Sequence, residues 1–149
     1  MNDNAFRRIL LGYDGSGDSE KAALLATSLA QKYDATIIVC HAFGHMPMTS
    51  KPSEVRRLVN PLVERLTKLG ITTLVSIPDT VPAQGILDAA EEHHADLIVM
   101  GGRGRGTFAN LLLGSTSERV LRFAKVPVLI AHLDGRGHRR CATLFAKAS

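Results

Sequence analysis

The residues best suited to chemistry in this chain are glycines. Gly101-Gly102-Arg103-Gly104-Arg105-Gly106 follows directly on an apolar run, ADLIVM at 95–100, and Gly114-Ser115-Thr116 opens a helical pattern shortly afterwards. Glycine after a buried strand lets the backbone approach a ligand where a β-carbon would collide. Exposed N–H groups in such a loop form an anion-binding concavity. The start of the helix adds further free N–H groups and a favourable dipole, while Arg103 and Arg105 bring positive charge. Two anion-binding devices on either side of a short loop suit a polyphosphate. Each half also has a plainer reading. Glycines after a strand make ordinary turns, and Ser115 with Glu118 has the spacing of a capping box, in which Ser115 would satisfy only its own helix.

Other glycine motifs fit worse. No GxxxxGK[ST] occurs, which excludes a P-loop. Gly102-Arg-Gly104-Arg-Gly106 is not GxGxxG, because Thr107 holds the last place, and it follows a late strand where a dinucleotide fingerprint follows the first. Histidines and cysteines add no metal site. His93 and His94 are adjacent, so they point to different sides of a helix, and they read as a solvated helix end. His41 reads as a hydrogen-bonded core residue, and Cys40 as a buried structural thiol in IIVC. Cys141 lies in a polar tail, and two such cysteines make no disulfide framework. Ser16 and Ser19 lie near Asp14 but lack a neighbouring histidine, so no nucleophile–base pair is evident. Binding of a polyphosphate is expected rather than dedicated turnover, with weak hydrolysis of that ligand as the upper bound if Asp14 helps to hold Mg²⁺.

Strands and helices alternate along the chain, the pattern of a parallel sheet covered by helices. Strands are expected at 8–12 (RILLG), 36–41 (TIIVCH), 71–77, 95–100 and 126–131 (VPVLIA). The first helix carries Ala22, Leu25, Ala26 and Leu29 on one face and ends near Tyr33-Asp34. The second, over 53–68, turns Val55, Leu58, Leu62 and Leu66 inwards, with Pro61 predicting a kink or a broken first turn. Helices over 83–93 and 116–124 complete the set, and a Gly/Pro/Ser-rich loop spans 43–52. The fold class is therefore α/β: an open five-stranded parallel sheet with helices on both faces, Rossmann-like. One domain is expected over 1–133, with a basic, mobile or loosely docked tail at 134–149.

Size and charge are compatible with this. The chain has 149 residues, 45% hydrophobic and 21% charged, ordinary for one globular domain with a real core. No apolar run is long enough to span a bilayer, and the N-terminal MNDNA lacks the pattern of a signal peptide, so a cytoplasmic location is expected. The net charge is +4, of which Arg136, Arg139, Arg140 and Lys147 against Asp134 supply +3. A nucleic-acid-binding domain spreads its basic footprint over a face; here the excess sits in the tail, which argues against nucleic acid.

The sequence resembles the universal stress protein family, specifically its ATP-binding branch, whose motif is G-x2-G-x9-G-[ST]. Gly101, Gly104, Gly114 and Ser115 meet that spacing without a gap. The likeness extends through ADLIVM before the motif, SERVL and VPVL after it, and ILLGYDGS with Ser19 and Ala22 near the start, covering about residues 6–133. It implies the adenine nucleotide alpha hydrolase-like form of the fold and a site for ATP, with AMP or ADP as alternatives. In that site Asp14, flanked by Gly12 and Tyr13, lies beside the adenosine, and Ala42 contacts adenine through its backbone. Gly101, Gly104, Gly114 and Ser115, with Thr116 next in line, hold ribose and phosphates; Met100, Arg103 and Arg105 complete the set. Ala42 is smaller than the family's usual valine, and Thr107 stands where another glycine is common.

The leading reading is a nucleotide-responsive regulatory protein whose occupancy alters the binding of a protein partner. The alternatives are a slow ATP hydrolase or adenylating enzyme of the same fold and a nucleotide-free dimeric scaffold. Asp14-Gly-Ser-Gly-Asp-Ser only faintly matches the Ser-Gly-Gly-x-Asp-Ser loop of ATP pyrophosphatases, and intact glycine spacing speaks against the scaffold. The apolar last strand, from Val126 to Ala131, is expected at the sheet edge, where it would pair with a second copy. The resemblance likewise implies a homodimer through that strand.

Overall fold

A computed structural model describes residues 6–44, 52–104, 113–132 and 142–145. Its elements alternate as β1 (Arg8–Gly12), α1 (Gly17–Tyr33), β2 (Thr36–Cys40), α2 (Pro52–Lys68), β3 (Thr73–Ser76), α3 (Pro82–Glu92), β4 (Leu97–Gly101), α4 (Ser115–Phe123) and β5 (Val128–Ala131), followed by β6 (Ala142–Phe145). The sheet order is β3-β2-β1-β4-β5-β6. The first five strands are parallel, in the open α/β arrangement expected, and the order reverses direction between β1 and β4. That is the switch point at which such sheets open a crevice beyond their carboxyl ends.

Alternation along each strand feeds two cores. Ile9, Leu11, Ile37, Val39, Leu97 and Val99 pack on one face with α1 and α2 residues such as Ala22, Ala26, Val59, Leu62 and Leu66. Leu10, Ile38, Ile98, Met100, Val128 and Ile130 pack on the other face with Ile86 and Ala89 of α3 and Val120 of α4. Successive side chains point to opposite faces, so strands covered on both sides must be apolar throughout. The alanines of α1 keep it close to the sheet, while Leu25 and Leu29 are only partly buried.

Three expectations change. Pro61 does not break the assigned helix, since α2 runs without interruption from Pro52 to Lys68. The residue is exposed, so the carbonyl its ring deprives of a partner lies on the solvent side. The inward stripe of α2 is Val55, Val59, Leu62 and Leu66, with Leu58 at its margin. Finally, β5 is not the edge of the sheet. Residues 142–145, within the tail expected to be mobile, form β6 and pair antiparallel with β5 from Val128↔Phe145 to Ala131↔Ala142. An apolar strand with open N–H and C=O groups is satisfied by any segment that reaches it, and here the chain's own end does so.

Candidate functional site

The cleft begins where β1 stops. Tyr13 N–H donates to the Cys40 carbonyl at 3.0 Å, after which the chain turns away. Asp14 Oδ1 accepts from Ser16 N–H at 2.8 Å, and Gly15 takes a φ of +77° that suits glycine. Ser16 caps α1, its side chain accepting from Ser19 N–H at 3.3 Å. Asp14 thus does make a turn, and it also lines the cleft.

Beyond β2 the hydrogen bonds alternate. His41, Phe43 and Gly44 N–H donate to the carbonyls of Ser76, Pro78 and Thr80 at 3.1, 3.2 and 2.9 Å. Residues 41 and 43 therefore face β3. Cys40 faces β1, and so, by the alternation of the strand, does Ala42, at a level where β1 has already turned off. The backbone of Ala42 is thereby directed to the mouth of the cleft. Helix α3 closes on it because residue 85 is glycine: a β-carbon there would lie 2.6 Å from Ala42 Cβ. His41 is half-buried and lines the cleft rather than sitting in the core. Its Nδ1 is 2.7 Å from the Tyr13 carbonyl; a carbonyl only accepts, so Nδ1 is the donor of that bond.

The glycine loop is anchored at both ends. The Gly102 carbonyl accepts Gly114 N–H at 2.6 Å and Ser117 Oγ–H at 2.7 Å, and Gly102 N–H donates to the Ala131 carbonyl at 2.8 Å. Ser117, only 1% exposed, also lies 3.0 Å from the Gly114 carbonyl. The capping-box reading does not hold. Gly114 is the N-cap and makes no side-chain cap bond, because α4 starts one residue earlier than expected and Ser115 is already inside it. The first N–H groups of α4 are thus left uncapped by that side chain, with Gly114, Ser115 and Thr116 all on the cleft wall.

Arg103 is differently engaged from the expectation that it simply adds positive charge. Its backbone N–H and Nε–H donate to Asp18 Oδ2 at 3.0 and 3.1 Å, and its Nη2 donates to Oδ1 at 3.2 Å. The bond to Asp18 raises the guanidinium pKa further. Gly101 has a packing reason to be glycine, since a β-carbon would stand 2.8 Å from Asp18 Cβ and 2.9 Å from Ser19 N. Gly104 instead faces the carboxylate, a β-carbon there falling 3.0 Å from Asp14 Oδ2.

These parts enclose a cleft of about 680 Å³, within the range of small-molecule sites. Gly12, Tyr13, Asp14, Ala42, Met100, Gly101, Arg103, Gly104, Gly114, Ser115 and Thr116 all line it. Arg105 lies outside the described residues, as do residues 45–51 of the loop after β2. Sequence reasoning missed Glu54, Val55, Leu58 and Ile86 on the walls. The inward stripe of α2 could have suggested Val55 and Leu58, but nothing local marks Glu54 or Ile86. Asp18 was missed too, because acidic residues in a first helical turn are ordinary. Among the described residues no three His, Cys, Asp or Glu side chains converge as a metal site. Burial pushes the Cys40 thiol up to about 12, so it is a wall and not a nucleophile. Behind the cleft the Tyr13 hydroxyl donates to Glu20, which also accepts from Arg65 Nη2 at 3.1 Å. Burial works against ionisation of Glu20, but these two donors outweigh it and hold the carboxyl below its usual range.

Comparison with known proteins agrees with this architecture. Residues 5–132 match the model of the universal stress protein family. A universal stress protein of Thermus aquaticus is 37% identical over 134 residues, covering 84% of this chain and 98% of the relative. A universal stress protein solved in complex with cAMP superposes with a TM-score of 0.69 at 29% identity, over 85% of this chain and 97% of its own. One from Archaeoglobus fulgidus, solved with dAMP, has the same fold at 21% identity and a TM-score of 0.67, over 85% and 98% of the two chains. With the family model spanning all five parallel strands and the whole cleft, the chain belongs to the universal stress protein family.

Proposed function

We propose that this protein binds an adenine nucleotide, ATP in the leading case, and that occupancy regulates its association with a protein partner in a stress response. One observation carries the reading: the turn carboxylate of Asp14, the outward-facing backbone of Ala42 and the N-terminus of α4 surround a single cleft at the switch point of the sheet. The adenine takes the Ala42 end, where apolar lining residues such as Ile86 of α3 and Val55 and Leu58 of α2 would pack against it. The ribose lies by Asp14. The phosphates lie along Gly104 and the first turn of α4, where backbone N–H groups and the helix dipole favour negative charge; the N–H groups of Gly102 and Arg103 are instead held by the Ala131 carbonyl and Asp18. The residues fit a magnesium nucleotide only in part. Asp14 is a single carboxylate, so phosphate oxygens and water would complete the coordination of Mg²⁺. Binding without a dedicated catalytic base makes this a nucleotide-responsive protein rather than an efficient hydrolase.

A second reading, a nucleoside monophosphate or cyclic monophosphate, is favoured by the cAMP complex of the relative at 29% identity. Thermal shift titrations with ATP, AMP and cAMP, each with and without Mg²⁺, separate the two. Mass analysis of ligand released from denatured protein adds an independent readout. A ligand that binds the native state raises the melting temperature with concentration. No concentration dependence for any nucleotide, together with no co-purified ligand, would refute the proposal.

A further inference from the structure

Among the described residues, the first turn of α1 holds the glycine loop at Arg103. Asp18 is 5% exposed and takes three hydrogen bonds from Arg103, one from its backbone and two from its guanidinium. The other backbone group of Arg103 is held by the same turn, its carbonyl accepting Ser16 Oγ–H at 3.4 Å. Gly101 stands against the Asp18 Cβ, so the strand end before the loop is shaped to this seat as well. The peptide from Gly102 to Gly104 forms the cleft wall, and its orientation follows from that grip.

We propose that Asp18 is a positioning residue of the nucleotide site, and that Arg103 contributes to binding through Asp18 rather than through direct contact with phosphate. This rests on the nucleotide reading above. A bidentate guanidinium–carboxylate pair is directional and strong, and with Asp18 shielded from water it fixes the loop before ligand arrives. The backbone that follows Arg103, beginning with the Gly104 N–H, then needs no reordering when phosphate binds, which is the advantage of preorganisation. The opposite arrangement makes an opposite prediction. If Asp18 merely withheld Arg103 from the phosphates, deleting the carboxylate would release a cation and tighten binding.

Calorimetric titration of the full chain with ATP and with AMP decides between them, using D18A, D18N, R103Q and the D18A/R103Q double variant, with folding checked by circular dichroism. D18A is expected to weaken binding about ten- to hundred-fold, the loss found when groups that orient metal ligands are removed. D18N, whose amide oxygen still accepts the Arg103 N–H, recovers part of the loss. The double variant is no weaker than the worse single one, because the two residues act as one unit. The Arg103 Nε–H resonance is expected to remain hydrogen-bonded in the nucleotide complex. Parent-like or tighter binding by D18A overturns the inference, and if D18A does not fold, parent-like binding by D18N does so. So does an additional loss from R103Q in the D18A background, or transfer of the Nε–H bond to phosphate. If the parent binds neither nucleotide, the functional reading itself fails and the inference with it, an outcome distinct from the others.

Discussion

Gly101→Ala tests whether that glycine is dictated by packing. The added β-carbon would stand 2.8 Å from Asp18 Cβ and 2.9 Å from both the Asp18 carbonyl carbon and Ser19 N. Two of those three atoms are backbone in the first turn of α1, which is tied down by Ser16 and Asp14, so no flexible side chain can swing aside. Relief requires α1 or β4 to shift, and overpacking of this kind costs about 1–3 kcal/mol. For a domain of this size each kcal/mol lowers the melting temperature by about 2–4 °C, so a fall of about 2–12 °C is expected. Gly70→Ala is the contrast: the site has open space but a φ of +76°. Its cost is therefore conformational, about 1–2 kcal/mol, and asparagine should be tolerated better than alanine there but not at position 101. Differential scanning calorimetry of the parent and both pairs of variants supplies the numbers. A Gly101→Ala protein melting within about 1 °C of the parent would refute the packing argument. So would asparagine outperforming alanine at position 101.

Gly104→Val should abolish nucleotide binding while leaving the fold intact, since its β-carbon is directed at the Asp14 carboxylate, 3.0 Å away, and not at the core. Parent-like affinity in a titration would show that the loop does not approach the ligand as described. In a Cys141→Ser background, Cys40 should resist a thiol reagent at pH 8 in the native state and react fully on unfolding, because burial raises its pKa to about 12. Fast native labelling would place that thiol in contact with solvent. Removing residues 134–149 strips β6 and bares the outer edge of β5. The truncated chain should self-associate more strongly than the full chain, as measured by light scattering, and equal masses across the micromolar range would argue that β6 does not guard that edge.

The sequence alone determined the class of fold and pointed to residues that line its cleft. Apolar runs of strand length, separated by amphipathic helical stretches, leave little alternative to a covered parallel sheet. Glycines 101, 104 and 114 at their spacing singled out a loop and a helix start, and both line the cleft. These are local signals, carried by periodicity and by the missing β-carbon. What only the tertiary structure decided depends on partners far apart in the chain. Asp18 and Arg103 are separated by 85 positions, and nothing near either one announces the other. Asp18, together with its neighbour Ser19, also gives Gly101 a packing role that its place in the motif does not reveal. Helix α4 starts at Ser115 with Gly114 as its N-cap, so Ser115 is released from the capping its spacing suggested, while Ser117 reaches back to Gly102. Ala42 owes its direction to bonds its neighbours make with β1 and β3. The edge of the sheet passed from β5 to β6 because strand pairing is a backbone interaction: a four-residue segment, Ala-Thr-Leu-Phe, can supply it without the long apolar pattern by which the other strands were recognised.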